Sequence, residues 1–278
     1  MEKIKIGLAL GSGGLCGMTH LGFLQVLEEN NIELSMISGS SMGSVIGGLY
    51  ASGLSLKVME NEFLRLNKAD ITDLNHFQIV KSGLLVGKKF EDLIDEHCIA
   101  KEIENARIPY YSVAYDIKSG KRYIFDKGKF SVAIRASSSI PAIFAPVEYD
   151  GCVLIDGGIL DIVPFHGLRE RGADIVIAVN CLNDYTAIDK PKNVFEMLTS
   201  SLYLVQDDLW RYDKDKNKEK FDLYVRDNLE GVDPISMDLR QIPKLIAHGR
   251  KCALKVLPQI KKLIEEKKKE KANKSKES

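Results

Sequence analysis

Two short apolar runs, each followed by a glycine-containing turn and a helical pattern, fill the first fifty residues of the chain. Residues 4–10 and 34–38 have the length and composition of buried strands. Leucines at helical spacing after the first run predict a helix that ends near Asn30, and a second helix is predicted to end at Gly53, a typical C-cap residue. This βαβα order requires parallel strands covered by helices, so it predicts an α/β fold with a mainly parallel central sheet.

The rest of the chain continues the same alternation. Further strands are predicted at residues 110–115, 121–125, 153–155, 174–180 and 221–225, and further helices at residues 54–66, 131–136, 194–212 and from 239 onward. Residues 67–88 look irregular, and two interpretations stay open for them, a lid or a simple connection. Neither a repeat nor a linker divides the sequence. We therefore predict one domain over residues 1–262, followed by a charged, Lys-rich tail at residues 263–278.

Composition limits the classes of function. The formal net charge of the 278 residues is zero, which argues against nucleic-acid binding. Residues 261–278 carry eight lysines and four acids, so this end is either drawn to anionic lipid or is a solvated helix end. An odd number of widely spaced cysteines, five in all, predicts reduced thiols. With neither a signal region nor an apolar run long enough to span a bilayer, we expect a soluble cytoplasmic protein whose membrane contact, if any, is peripheral at the inner membrane surface.

The segment Gly39-Ser40-Ser41-Met42-Gly43 stands between a predicted strand and a predicted helix. The pattern G-x-S-x-G at such a junction is typical of a nucleophile elbow, in which a sharp turn lifts the serine Oγ clear of the backbone. Flanking glycines remove side chains that would collide with neighbouring strands. The N–H groups at the start of the helix then face the site where negative charge develops during acyl transfer.

The glycine loop after the first strand allows two interpretations. Backbone N–H groups of Gly13, Gly14, Leu15 and Cys16 are candidate donors for an oxyanion hole, because glycines let a backbone approach the reacting group closely. A dinucleotide-binding loop, G-x-G-x-x-G, is the alternative. Its third glycine position holds Cys16, and its second strand ends in the serine turn instead of a ribose-binding acid, so cofactor binding is the weaker hypothesis.

The candidate general base is Asp156, which follows a short strand and precedes Gly157 and Gly158. An Asp-Gly turn in which the carboxylate caps its own backbone is the alternative, and sequence spacing alone does not show that Asp156 meets Ser41. A Ser…Asp…His triad would leave His166 or His248 as its third member, but neither stands among other site-like residues.

Taken in order, these motifs resemble the patatin-like phospholipase family. The family pattern combines a Gly-rich oxyanion loop, here residues 12–17 and ending at Gly17, with G-x-S-x-G and D-G-[GA]. Residues 83–87 and 136–147 also look family-like. The resemblance covers about residues 4–180 and implies a three-layer α/β/α fold. It also implies an acyl hydrolase acting on lipid or other acyl esters, with Ser41 as nucleophile, Asp156 as base, an acyl-enzyme intermediate and no metal or organic cofactor.

One position departs from the family pattern. Cys16 stands where the family usually has Arg or Lys, although the hole itself is built from backbone donors. This departure is the one feature in favour of a second hypothesis, a catalytically silent lipid-binding or regulatory protein of the same fold. Neither the natural substrate nor the oligomeric state follows from the sequence.

Overall fold

The computed structural model describes residues 3–71, 85–182, 194–226, 229 and 238–277. Its strands are β1 (Ile6–Leu10), β2 (Met36–Ser40), β3 (Tyr110–Asp116), β4 (Lys121–Phe125), β5 (Val147–Tyr149), β6 (Cys152–Asp156), β7 (Ile175–Asn180) and β8 (Leu223–Arg226). They form one sheet in the spatial order β5-β6-β3-β2-β1-β7-β8, with β4 paired to β3 beside this path.

The central part of this sheet is parallel. β3, β2, β1, β7 and β8 pair in parallel in that order. β4 and β6 pair antiparallel with β3, and β5 pairs antiparallel with β6. The predicted mainly parallel sheet is therefore confirmed, with an antiparallel extension at one edge. The three-residue strand β5 is absent from the predicted elements, because a run this short has no detectable periodicity.

The helices follow the predicted pattern closely. They are α1 (Thr19–Glu29), α2 (Met42–Ser52), α3 (Leu56–Arg65), α4 (Lys68–Ile71), α5 (Lys88–His97), α6 (Phe130–Ser137), α7 (Val194–Lys216) and α8 (Ile242–Glu277). Gly53 caps α2 in the left-handed conformation, as predicted. Residues 263–277 continue α8 as helix, while the predicted domain boundary at residue 262 stays a prediction.

Residues 67–88, predicted to be irregular, are partly ordered into elements. α4 lies within them, and Leu85 forms a parallel bridge to Phe144. Gly87, with a φ of 76°, precedes α5. Residues 72–84 lie outside the described part of the chain, and with them most of the segment for which a lid was one interpretation.

Two separate hydrophobic cores lie on the two faces of the sheet. Successive side chains of a strand point to opposite faces, so Leu8 and Leu10 enter one core while Ala9 enters the other. The first core also contains the buried faces of α1, α2, α6 and α8. The second core holds apolar residues of the segment 162–173 together with Trp210 from α7. These layers on both sides of the sheet confirm the predicted three-layer α/β/α architecture.

Candidate active site

Ser41 occupies a strained turn between β2 and α2. Its backbone has φ 53° and ψ −122°, a conformation that costs a side-chain-bearing residue on the order of 1–3 kcal/mol. Strain of this kind persists only where the surrounding structure imposes it. Here the parallel strand ends at Ser40 and the helix begins at Met42, so the whole reversal falls on one residue.

The glycines on each side of Ser41 are required by close backbone packing. A Cβ on Gly39 would lie 2.5 Å from the carbonyl oxygen of Gly43, and a Cβ on Gly43 would lie 2.1 Å from the carbonyl oxygen of Leu10. Because both obstacles are backbone atoms, no side-chain rotation relieves either contact. The two glycines of the G-x-S-x-G pattern are therefore needed because the backbone of the turn packs closely against itself and against β1.

The register of β3 brings Asp156 next to this turn. Ser40 of β2 pairs with Val113, and Asp156 of β6 pairs with the next residue, Ala114. Both strands therefore end at the same point along β3. Ser41 Oγ donates a hydrogen bond of 2.7 Å to Asp156 Oδ2, across 115 residues of sequence.

The two glycines after Asp156 fit the turn that holds its carboxylate. Gly158 N donates to Asp156 Oδ1 at 2.7 Å, so one oxygen caps its own turn while the other meets Ser41. One oxygen thus makes the turn-capping contact and the other contacts Ser41, while the role of Asp156 as general base stays a prediction. A Cβ on Gly157 would lie 2.1 Å from the Val113 carbonyl oxygen, and one on Gly158 would lie 2.5 Å from the Ser12 side chain.

Burial raises the pKa of the Asp156 carboxyl group towards 7. The side chain is 4% exposed, and desolvation raises its pKa from 3.8 to about 7, against the opposing hydrogen bonds from Ser41 and Gly158. In the part of the chain that the structure describes, no cation lies within ion-pair distance of this carboxylate. A carboxyl group with a pKa near 7 both accepts and returns a proton readily at neutral pH.

Serines at the end of α6 hold both candidate residues in place. Ser137 Oγ accepts from the Ser41 N–H at 3.0 Å and donates to the Val113 carbonyl at 2.6 Å. The Ser139 carbonyl accepts from the Asp156 N–H at 3.0 Å. The sequence resemblance covered this segment without giving it a role, and the run of serines in an apolar stretch was the available signal.

The glycine loop faces Ser41 across a shared cavity. Gly13, Gly14 and Leu15 line this cavity, and within the described residues their N–H groups donate to no protein acceptor. The Cys16 N–H already donates to the Gly13 carbonyl at 3.0 Å, and Cys16 itself packs in the first core instead of lining the cavity. Three of the four predicted oxyanion donors are thus open to a ligand, and their role stays a prediction.

The cavity over Ser41 is mainly apolar and has a volume of about 190 Å³. Its polar lining comes from Ser12, Ser41, Ser138, Asp156, Thr199 and Gln206. Its apolar lining includes Leu15, Met18, Met42, Val45, Phe63, Leu66, Leu85, Phe90, Ile140, Pro141, Ile143, Phe144, Ile159, Leu202, Tyr203, Leu239 and Ile242. Such a lining favours a hydrocarbon chain beside the serine.

Two residues that the sequence did not single out support the site. Arg135 is 2% exposed, and its guanidinium donates to the carbonyls of residues 86, 87 and 145 and, at 2.6 Å, to Ser139 Oγ. Gln206 of α7 donates from Nε2 to the Gly158 carbonyl at 2.7 Å. The only sequence signal for Arg135 was its position as an arginine inside an apolar helical stretch. Gln206 had no sequence signal.

The histidines of the described segments do not line the cavity. His20 is fully buried, with Nε2 2.8 Å from the Gly11 carbonyl oxygen, and desolvation lowers its pKa to about 4, so the ring is neutral. His166 pairs with Asp213 at 2.9 Å, and His248 lies on α8. None of these lines the cavity. The described geometry is a Ser–Asp pair without a histidine.

Among the residues that the structure describes, we find no group of three or more His, Cys, Asp or Glu side chains placed to hold a metal ion. The five cysteines, each in a described segment, form no disulfide. No helix of the described part combines the length and the apolar character needed to cross a bilayer. The predicted cellular location stays a prediction.

Comparisons with known proteins identify the family of the chain. A family model described as patatin-like phospholipase matches residues 8–169. An NTE family protein of Mycobacterium tuberculosis is 40% identical over 176 residues, which cover 63% of this chain and 49% of that protein. Lysophospholipase NTE1 of Candida albicans is 33% identical over 183 residues, covering 65% of this chain and 13% of that protein. The chain thus spans about half the length of the mycobacterial relative and much less of the fungal one.

A solved structure extends the likeness of the fold beyond the family match. VipD from Legionella pneumophila superposes with a TM-score of 0.50 and 13% sequence identity, covering 93% of this chain and 67% of that one. At this identity the likeness concerns the fold alone. Because it covers 93% of the chain, it extends past residue 169, where the match to the family model ends.

Proposed function

The chain belongs to the patatin-like phospholipase family, and from this premise we propose that it is a serine-dependent lipid acyl hydrolase working through a Ser41–Asp156 dyad. One observation carries the proposal: Ser41 Oγ, on a strained turn below an apolar cavity, donates a 2.7 Å hydrogen bond to a buried carboxylate. The curated lysophospholipase relatives support the lipid substrate class.

The first half-reaction transfers the acyl group to the enzyme. Ser41 Oγ attacks the ester carbonyl carbon as its proton passes to Asp156 Oδ2. The carbonyl oxygen becomes an oxyanion and accepts hydrogen bonds from the open N–H groups of Gly13, Gly14 and Leu15. When the tetrahedral intermediate collapses, the C–O bond to the alcohol breaks, and the alcohol oxygen takes the proton from Asp156.

The second half-reaction returns the enzyme to its starting state. A water molecule attacks the acyl carbon and gives a proton to Asp156, and the bond to Ser41 Oγ then breaks. Oγ recovers the proton and the carboxylic acid leaves. A carboxyl pKa of about 7 suits both directions of transfer, because neither the protonated nor the ionised form is strongly favoured at neutral pH.

Labelling with a fluorophosphonate probe, read by intact mass, tests the proposal. Wild type is expected to gain one adduct, and Ser41→Ala to gain none. Ser138 is a matched control, because its hydroxyl lines the same cavity and bonds to no protein group within the described residues. Ser138→Ala is expected to label like wild type. Adducts on Ser41→Ala would place the reactive group elsewhere.

Hydrolysis of a lysophospholipid by the same variants tests the substrate class. Ser41→Ala and Asp156→Asn are each expected to lose turnover while keeping the circular dichroism spectrum of the wild type. Absence of both labelling and turnover in folded wild-type protein would favour the second hypothesis, a silent lipid-binding protein of this fold.

A further inference from the structure

The helix α7 exposes an apolar face to solvent. Seven of its large apolar side chains are each at least 40% exposed, and we call them the α7 stripe: Val194, Met197, Leu198, Leu204, Val205, Leu209 and Tyr212. At 100° per residue they fall within an arc of about 140°, along one side of the helix. About half of the exposed large apolar side chains in the described segments belong to α7.

The adjoining face of α7 belongs to the substrate cavity. Thr199, Leu202, Tyr203 and Gln206 line the cavity. At 100° per residue they lie beside the α7 stripe, and Leu202 is only about 20° from Leu209. A surface helix normally has one apolar face and one polar face. On α7, apolar side chains occur both at the cavity and on the adjoining exposed face, which is available to a partner.

Further exposed apolar side chains lie next to the cavity lining in sequence. Leu64, Val86 and Leu160 are 47%, 40% and 48% exposed. Each directly follows a residue that lines the cavity. Exposed apolar side chains therefore lie near the cavity on elements other than α7 as well.

The charge of this surface selects among lipid partners. Residues 194–212 contain three acids, Glu196, Asp207 and Asp208, and one base, Arg211, which pairs with Asp207 at 2.6 Å. Such a surface does not attract anionic headgroups, which need basic residues. Apolar contact with a lipid aggregate of zero net charge remains favourable, because it removes aliphatic side chains from water.

We propose that the α7 stripe docks on the surface of a zwitterionic phospholipid bilayer and places the cavity mouth against it. A lipid chain then passes from the bilayer into the cavity without crossing water. The inference rests on the proposed function for the identity of the occupant. It assigns the membrane contact to α7 and not to the Lys-rich end of α8.

Flotation of the full chain with phosphatidylcholine vesicles tests this assignment. The variant Leu198→Ser/Val205→Ser removes two half-exposed aliphatic side chains from the α7 stripe, and its partition is expected to fall on the order of tenfold. The matched control is Ile117→Ser/Leu254→Ser, which removes two side chains that are 63% and 53% exposed but lie outside the stripe and the cavity lining. The control is expected to float like wild type.

Salt separates apolar docking from attraction by the lysines. In about 1 M salt the screening length is about 3 Å, so binding through the end of α8 would be lost, whereas docking through α7 is expected to persist. Flotation that salt abolishes, or that the double variant leaves unchanged, overturns the proposal. Wild-type protein that does not float at all also overturns it.

Two further measurements separate this inference from the proposed function and from self-association. Ser41→Ala is expected to float like wild type, so a failure of the dyad leaves the docking test readable. The α7 double variant is expected to keep the wild-type circular dichroism spectrum and elution volume. A shift from dimer to monomer in that variant would assign the face to a second copy and overturn the proposal.

Discussion

Replacing Asp156 with Asn is expected to change activity and stability in opposite directions. The substitution keeps the shape of the side chain and removes its charge. Asp156 is 4% exposed and has no cationic partner in the described ranges, so its ionised form is poorly solvated in the folded protein. The rise of its pKa from 3.8 to about 7 corresponds to about 4 kcal/mol of unfavourable free energy for the ionised folded state.

The sign of this effect depends on pH. Above about pH 7 the carboxyl group is ionised in both the folded and the unfolded chain, and the folded chain bears the full cost. As the pH falls from 7 towards 4, the folded chain takes up the proton while the unfolded chain stays ionised. The wild type therefore gains stability over that range. The neutral Asn variant does not bear the cost of a buried ionised carboxylate. It is therefore expected to be more stable than wild type at pH 8, by up to about 4 kcal/mol.

Urea unfolding at pH 8 and pH 5, together with ester turnover, measures both effects. The stability advantage of Asp156→Asn is expected at pH 8 and should shrink strongly at pH 5. Turnover should fall by about 10² to 10⁴, the usual contribution of a general base. Asp116→Asn is the matched control, because hydrogen bonds from the Ser119 hydroxyl and from the backbone N–H groups of Val153 and Ser119 lower the pKa of that carboxylate to about 2. The control is expected to lose stability at pH 8.

Two outcomes would refute this reasoning. If Asp156→Asn were less stable than wild type at pH 8, the carboxylate would be better solvated than its burial implies. If its stability difference were equal at pH 5 and pH 8, the group would not titrate between those values in the folded protein.

Three further predictions concern Asp156, Cys16 and Arg135. The kcat/KM for a water-soluble ester is expected to rise about tenfold per pH unit up to about pH 7 and then level off, as the Asp156 base ionises; a flat profile from pH 5 to 8 would exclude it as the base. Cys16→Arg is expected to lower the unfolding temperature well below that of Cys16→Ser, because position 16 is 2% exposed and a guanidinium there loses its hydration; equal temperatures would show that the new side chain reaches water. Arg135→Lys is expected to cost about 3 kcal/mol in urea unfolding, because an ammonium group does not reproduce the four-acceptor contact of the guanidinium; an unchanged midpoint would mean that these bonds are replaced by water.

Features that depend on neighbouring residues could be predicted from the sequence alone. The strained turn at Ser41 involves five consecutive residues, and the glycines at positions 39 and 43 are needed because the backbone approaches itself there. Whereas the three layers were implied by the family resemblance, the alternation of strands and helices and the cap at Gly53 follow from local sequence patterns in the same way. For these, the chemical cause and its sequence signal lie in the same short stretch.

The pairing of distant groups was decided by the tertiary structure. Asp156 meets Ser41 because β2 and β6 both end at the Val113–Ala114 step of β3, and side-chain patterns do not specify that register across 115 residues. Gln206 reaches the Gly158 carbonyl because α7 packs with that side chain facing the site. Apolar residues occur around much of α7, so the sequence does not show which face of the helix is buried. The pKa of Asp156 likewise depends on burial, which arises only when separate segments exclude water from one carboxylate.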